Sequence, residues 1–223
     1  MSKTEQRPRC PHCHRAQRTC ICALAQSVEH QVEVLILMHP MEVHEAKGTG
    51  HLLHLCLPRS RIMVREQFDG AELQQALQGS WDGQVPRQSL LLYPDTAEQD
   101  ATLGLAQASA LPQPWPLPPE QLRLVIIDGT WRKSRKMLYL NPALQSLPRV
   151  ALREVGDSGY AIRKAHLPGQ LSSFEAAVLG LAQLQNWPLD AQAPATLNQV
   201  FEQFVDRQIL QQNANQAPTK GAC

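Results

Sequence analysis

The 223-residue chain is 43% hydrophobic and 18% charged, with a net charge of +1. These values exclude a disordered or fibrous polypeptide and allow one sizeable core. The longest apolar runs, such as Val34–Met38 and Leu124–Ile127, fall far short of a membrane helix of roughly 20 residues. The start, MSKTEQRPRCPHC, lacks an apolar signal region, so a cytoplasmic location is expected, and no segment demands an obligate protein partner.

Near-neutrality conceals segregation. Residues 1–30 carry five Lys/Arg against two acids, 31–120 five against eleven, 121–166 nine against three, and 167–223 two against four. Such asymmetry suits a chain that presents a positive face to a polyanion, unless acids of the middle segment pack among the bases and cancel the field.

Four of the six cysteines open the chain as Cys10-x2-Cys13-x6-Cys20-x-Cys22. Without a secretory signal, that density reads as metal binding, and two close pairs of thiolates match a tetrahedral structural zinc. The second pair is tight for a zinc ribbon, and His12 and His14 are rival ligands. Arg7, Arg9, Arg15 and Arg18 flank the cluster as expected phosphate contacts. Cys56, in an apolar helical stretch, reads as core, and Cys223 as tail. Residues 1–30 are therefore expected to form a zinc-binding module, and residues 31–223 an α/β domain.

Val32–Met38 is apolar on both faces, as a parallel-sheet strand is, and ends at His39-Pro40. Gly48-Thr49-Gly50 opens a helix over Thr49–Leu57. Arg61–Arg65 reads as a strand, Ala71–Gln78 as a helix, and Ser89–Tyr93 as a strand ending at Pro94. The proline-rich stretch Thr96–Glu120 is expected to be a surface insertion. Leu122–Ile127 is a strand, Trp131–Leu140 a basic helix halted near Pro142, and Pro148–Leu152 a short strand. Ser172-x-x-Glu175 is a capping box before the helix Phe174–Leu184, and a last helix covers Leu197–Gln211. Strands alternating with helices predict an α/β fold with a mostly parallel sheet.

The stretch 122–138 concentrates the chemistry. A buried strand ends in Asp128-Gly129-Thr130-Trp131, where open α/β sheets build ligand sites beside a helix N-terminus. Trp131 adds a π-face for a cation or nucleobase, and Arg132, Lys133, Arg135 and Lys136 follow at once. Helix capping accounts for the Asp or the Thr but not for the whole cluster. Dinucleotide, P-loop, zinc-protease and nucleophile-elbow motifs are absent, which argues against nicotinamide and nucleoside-triphosphate enzymes.

Six motifs in order resemble the DTW-domain family, the tRNA-uridine aminocarboxypropyltransferases. They are the four-cysteine start, Met38-His39-Pro40 with Glu42, Leu91-Leu92-Tyr93-Pro94, Asp128-Gly129-Thr130-Trp131, Ser158-Gly159-Tyr160-Ala161-Ile162-Arg163-Lys164, and Leu171-Ser172-Ser173-Phe174-Glu175-Ala176. His44 stands where a basic residue is usual in the family, and Ser173 where threonine is common. The resemblance implies S-adenosylmethionine as donor of a 3-amino-3-carboxypropyl group to N3 of a tRNA uridine, with release of methylthioadenosine. It also implies a fold similar to the knotted SPOUT methyltransferases.

Under that resemblance Asp128 is the candidate general base, with a pKa raised by partial desolvation, or else the group that orients the uridine. Thr130 holds the loop, and Trp131 packs on the cofactor or the flipped base. His39, Pro40, Tyr93, Gly129, Ser158, Tyr160, Arg163, Ser173 and Glu175 are the expected cofactor contacts. Arg163 suits either the cofactor carboxylate or an RNA phosphate. Arg15, Arg18, Arg132, Lys133, Arg135, Lys136 and Lys164 are the expected tRNA contacts, chiefly to phosphates.

Overall fold

The apolar runs of the sequence become the two central strands of a sheet. In the computed structural model, every residue of β1 (Glu33–Met38) and β4 (Leu122–Asp128) is buried. They are neighbours in a five-stranded parallel sheet with β2 (Ser60–Val64), β3 (Gln88–Leu92) and β5 (Arg149–Val150), in the order β2-β1-β4-β3-β5. The structure describes residues 8–94, 101–102, 104–106, 108–109, 111, 117–152 and 171–216. Ser158, Tyr160, Arg163, Lys164 and Cys223 lie outside them.

The helices are α1 (Gly50–Cys56), α2 (Gly70–Gln78), α3 (Trp131–Leu140), α4 (Pro142–Gln145), α5 (Ser173–Gln185) and α6 (Gln192–Gln216). Helices α1, α5 and α6 bury residues such as Leu53, Phe174 and Phe204 against one face of the sheet. Helices α2, α3 and α4 bury Leu77, Met137 and Leu144 against the other. Double coverage is why the central strands read as continuous apolar runs rather than alternating ones.

Helix α5 lies close against β3 and β4, because a Cβ on Gly180 would stand 3.2 Å from Leu92 Cδ1 and 3.3 Å from Leu124 Cδ2. Helix α6 begins at Gln192, earlier than the expected Leu197. Pro194 falls in its first turn, where a missing N–H costs no intrahelical bond, so the proline does not mark a boundary there. The proline-rich stretch is not purely a surface insertion. Leu105 is buried against the second core, and Ala106 N–H donates to Gln145 Oε1 at 2.9 Å.

The cysteine module is built into the domain. Cys10, Cys13, Ile21 and Val28 belong to the same core as Val34 and Phe204. Burial lowers the pKa of three histidines, His30, His54 and His51, the last pushed down to about 4. His30 Nδ1 lies 2.7 Å from Val32 O, and its Nε2 accepts from Arg59 N–H at 3.2 Å, so both nitrogens of the neutral ring are used.

The pH dependence follows with a definite sign. The unfolded chain takes up protons near pH 6.5 that these folded histidines refuse, so it binds more protons in that window. Stability is full above about pH 6.5 and falls as pH drops toward 4. Urea unfolding at pH 7.5 and pH 5.5 checks this, with His30 alone contributing at most about 1.4 kcal/mol per pH unit. A flat profile between those values would overturn it.

Candidate active site and metal centre

Strand β1 leads to β2 on one side and β4 leads to β5 on the other, so their carboxyl ends flank a topological switch point. Register pairs Met38 with Asp128, and His39 N–H donates to the Asp128 carbonyl at 3.0 Å. The His-Pro turn and the Asp-Gly turn are therefore held side by side.

Polar contacts lace this end of the sheet. His39 is buried, and its Nδ1 accepts from Met41 N–H at 3.1 Å. That assigns the ring proton to Nε2, which lies 2.9 Å from Glu66 Oε1. Glu66 also takes the Lys136 ammonium at 2.8 Å, and Lys136 and His39 together hold its carboxyl below the usual range. Lys133 reaches buried Glu42 at 2.8 Å. The turn after β1, the residues after β2, and α3 are thus tied by charge-assisted bonds.

Asp128 is 3% exposed, with its carboxylate beside Gly50, the first residue of α1. A Cβ on Gly50 would collide with that carboxylate and stand 2.8 Å from Met38 Cε. Gly50→Ala is expected to cost about 1–3 kcal/mol by overpacking. Gly70→Ala, with nothing within 4 Å of the added carbon, serves as the control in parallel thermal melts. Equal melting points would show that the Asp128 wall is not rigid.

Thr130 caps α3, its hydroxyl accepting from Lys133 N–H at 3.4 Å. Trp131 is 46% exposed rather than core and stands edge-on to Tyr93, with centroids 5.9 Å apart. Both border a pocket of about 300 Å³ above the carboxyl ends of β3, β4 and β5. That volume is at the small end of the range for ligand sites. Tyr93, Gly129, Trp131 and Ser173 meet there, walled by Leu92, Ile126, Val150 and Leu152. His39 and Pro40 stand at the adjoining switch point and are not among the lining residues, and neither is Asp128. Glu175 belongs to the capping box, where its carboxylate accepts from Ser172 N–H at 2.8 Å. The apolar wall was not legible as a site, because periodicity marks those residues only as core. Arg149, whose guanidinium lies 5.4 Å from the Tyr93 ring, also carried no local signal.

The expected basic surface is reduced by pairing. Arg15 is a correction: it is 5% exposed and donates to the carbonyls of Ala46 and Gly48, each at 2.7 Å. Its guanidinium also lies 5.1 Å from the Phe204 ring. These contacts seat the module on the turn after β1 and remove Arg15 from any phosphate. Lys133 and Lys136 carry acidic partners from the middle segment, whereas Arg132, Arg135 and Arg18 are exposed and make no ion pair among the described residues.

Cys10, Cys13, Cys20 and Cys22 bring their sulfurs within 4.8 Å of one another. Cys10 and Cys22 are 3.6 Å apart, and Cys13 and Cys20 are 3.8 Å apart. Zinc–thiolate bonds of about 2.3 Å in a tetrahedron require edges of about 3.8 Å, so the residues fit a closed structural zinc site. Backbone N–H groups of Cys13 and His12 lower the Cys10 thiol to about 6, while burial pushes Cys22 up. His12 and His14 are exposed, and His14 instead packs on His51, with ring centroids 4.9 Å apart.

These features define an open α/β protein with a ligand pocket at its strand ends and a four-thiolate centre built into its core. The family model described as DTW domain matches residues 7–209, and the chain belongs to that family. It is 32% identical over 191 residues to tRNA-uridine aminocarboxypropyltransferase 2 of Drosophila melanogaster, covering 82% of this chain and 69% of that protein. To the proteins of the same name from Macaca fascicularis and Mus musculus it is 26% identical over 189 residues, covering 81% of this chain. It spans 58% of the length of those two relatives. No solved structure matches the chain. No described helix is long and apolar enough to cross a membrane.

Proposed function

We propose that this chain is a cytoplasmic tRNA-uridine aminocarboxypropyltransferase with a SPOUT-like fold. It transfers the 3-amino-3-carboxypropyl group of S-adenosylmethionine to N3 of a tRNA uridine and releases methylthioadenosine. The observation that carries the reading is the pocket at the Asp128–Trp131 turn in a member of this family. A small, mostly apolar cleft with polar groups at a helix N-terminus suits a zwitterionic, nucleoside-bearing co-substrate.

Uridine N3 must lose its proton as its lone pair attacks the γ-carbon and the carbon–sulfur bond breaks. Asp128, which ends β4 at this turn without lining the pocket, is assigned the proton on the family motif. Because the leaving sulfur passes from cation to neutral thioether, tight binding of the cation would slow the step, and positioning is the larger contribution. Trp131 and Tyr93 provide the apolar wall that holds the reactants and excludes water. Gly129 and Ser173 line the cofactor's side, with His39 and Pro40 fixing the switch point. Ser158, Tyr160 and Arg163 are assigned to the cofactor by the family motif alone. Cys10, Cys13, Cys20 and Cys22 would hold a structural zinc, which takes no part in the transfer.

Mass spectrometry of both products, after incubation with S-adenosylmethionine and unmodified bulk tRNA, tests the reading. Methylthioadenosine with an aminocarboxypropylated uridine is expected. S-adenosylhomocysteine with a methylated nucleoside would replace the transferase with a methyltransferase.

A further inference from the structure

The solvent-facing side of α3 has a composition that neither capping nor packing requires. Trp131 is 46% exposed and Tyr139 60% exposed, and among the described residues no other Phe, Trp or Tyr ring is exposed. Arg132, Arg135 and Lys136 are exposed on the same helix. At 3.6 residues per turn, these five side chains share an arc of roughly 140°, in the order Trp131, Arg135, Tyr139, Arg132, Lys136. The opposite face buries Ser134, Met137 and Leu138. The stripe begins at the pocket, since Trp131 lines it.

We propose that this stripe is a stacking platform for unpaired bases of single-stranded RNA, with Tyr139 as a second platform that leads the strand along α3 into the pocket. Exposed aromatic rings interleaved with arginines give sequence-tolerant stacking together with phosphate attraction. Trp131 and Tyr139 are eight residues apart, or about 12 Å along the axis, so they meet bases a few nucleotides apart. Arg135 lies between them, toward the intervening phosphates. Lys133 and Lys136 already hold carboxylates, so Arg132 and Arg135 carry most of the free positive charge. A second copy of this chain fits the stripe poorly, because it would bring arginines against arginines.

The inference rests on the RNA-modifying reading and adds to it that the target uridine is approached along a single strand rather than a duplex. The test uses the full chain and two fluorescently labelled probes, a short single-stranded oligouridylate and an RNA duplex of the same length. Binding is read by anisotropy, and S-adenosylmethionine binding by calorimetry. The single strand is expected to bind more tightly. Tyr139→Ala should weaken it about tenfold, Tyr139→Phe should restore it, and neither should change cofactor affinity. Arg135→Ala should weaken binding and reduce the salt slope by about 0.7.

Equal binding by Tyr139→Ala, or a preference for the duplex, would overturn the proposal. So would a concentration-dependent dimer, in sedimentation, that Tyr139→Ala abolishes while RNA affinity stays unchanged. Loss of cofactor binding by the unmodified chain would instead overturn the transferase reading and leave the RNA surface to be judged separately.

Discussion

Asp128→Asn is expected to lower the rate of methylthioadenosine release with tRNA by about 10²- to 10⁴-fold, the range for a lost general base. The substitution keeps the volume of a side chain that is 3% exposed and packed beside Gly50, so the fold should survive it. Affinity for S-adenosylmethionine should be unchanged, because the pocket is lined by Gly129 and Trp131 and not by Asp128 itself. With Asp128 as the proton acceptor, the pH–rate profile of the unmodified chain carries an acid limb that Asp128→Asn lacks. An acid limb that persists in the variant would make Asp128 a positioning residue for the His39 and Asp128 turns. Undiminished turnover would remove it from the mechanism.

Removal of a zinc held by the four cysteines is expected to unfold more than the first thirty residues. Cys13 is fully buried in the core that holds Val34 and Phe204, and Arg15 ties the module to the carbonyls of Ala46 and Gly48. Cys13→Ser, or treatment with a chelator, should lower the melting temperature by roughly 10 °C or more, equivalent to about 3 kcal/mol or more in a domain of this size. Metal analysis should find one zinc per chain in the native protein and a reduced content in the variant. Activity should fall as well, because Gly48 is two residues from Gly50, which walls Asp128. An unchanged melting point would make the module a detachable appendage, and an absence of zinc would make the sulfurs a plain thiol cluster.

The same residues explain which features were legible in advance. Runs such as Val34–Met38 and Leu124–Ile127 identify parallel strands, because a strand buried on both faces cannot alternate. The Ser172/Glu175 capping box and the Thr130 cap mark helix starts, since those bonds are made within four residues. The four cysteines are close enough in sequence for their spacing alone to indicate a metal centre. Local chemistry of this kind depends on near neighbours in the chain.

Contacts between distant segments depend on how the chain packs. Arg123, near the start of β4, is fully buried because Glu33 meets it at 2.6 Å and the Trp81 ring lies 4.1 Å away. Arg15 has the local setting of a phosphate contact, yet carbonyls some thirty residues on, and Phe204 on the last helix, take its guanidinium. Glu42 and Glu66 neutralise half of the basic cluster on α3, which net charge by segment leaves open. Element types, the clustered cysteines and the Asp128–Trp131 turn are legible in the linear chain, because all of them rest on short-range geometry. Which side chains face the pocket, which bases stay free, and where Asp128 points were decided by the order in which strands and helices pack, because desolvation and pairing depend on partners the linear chain does not reveal.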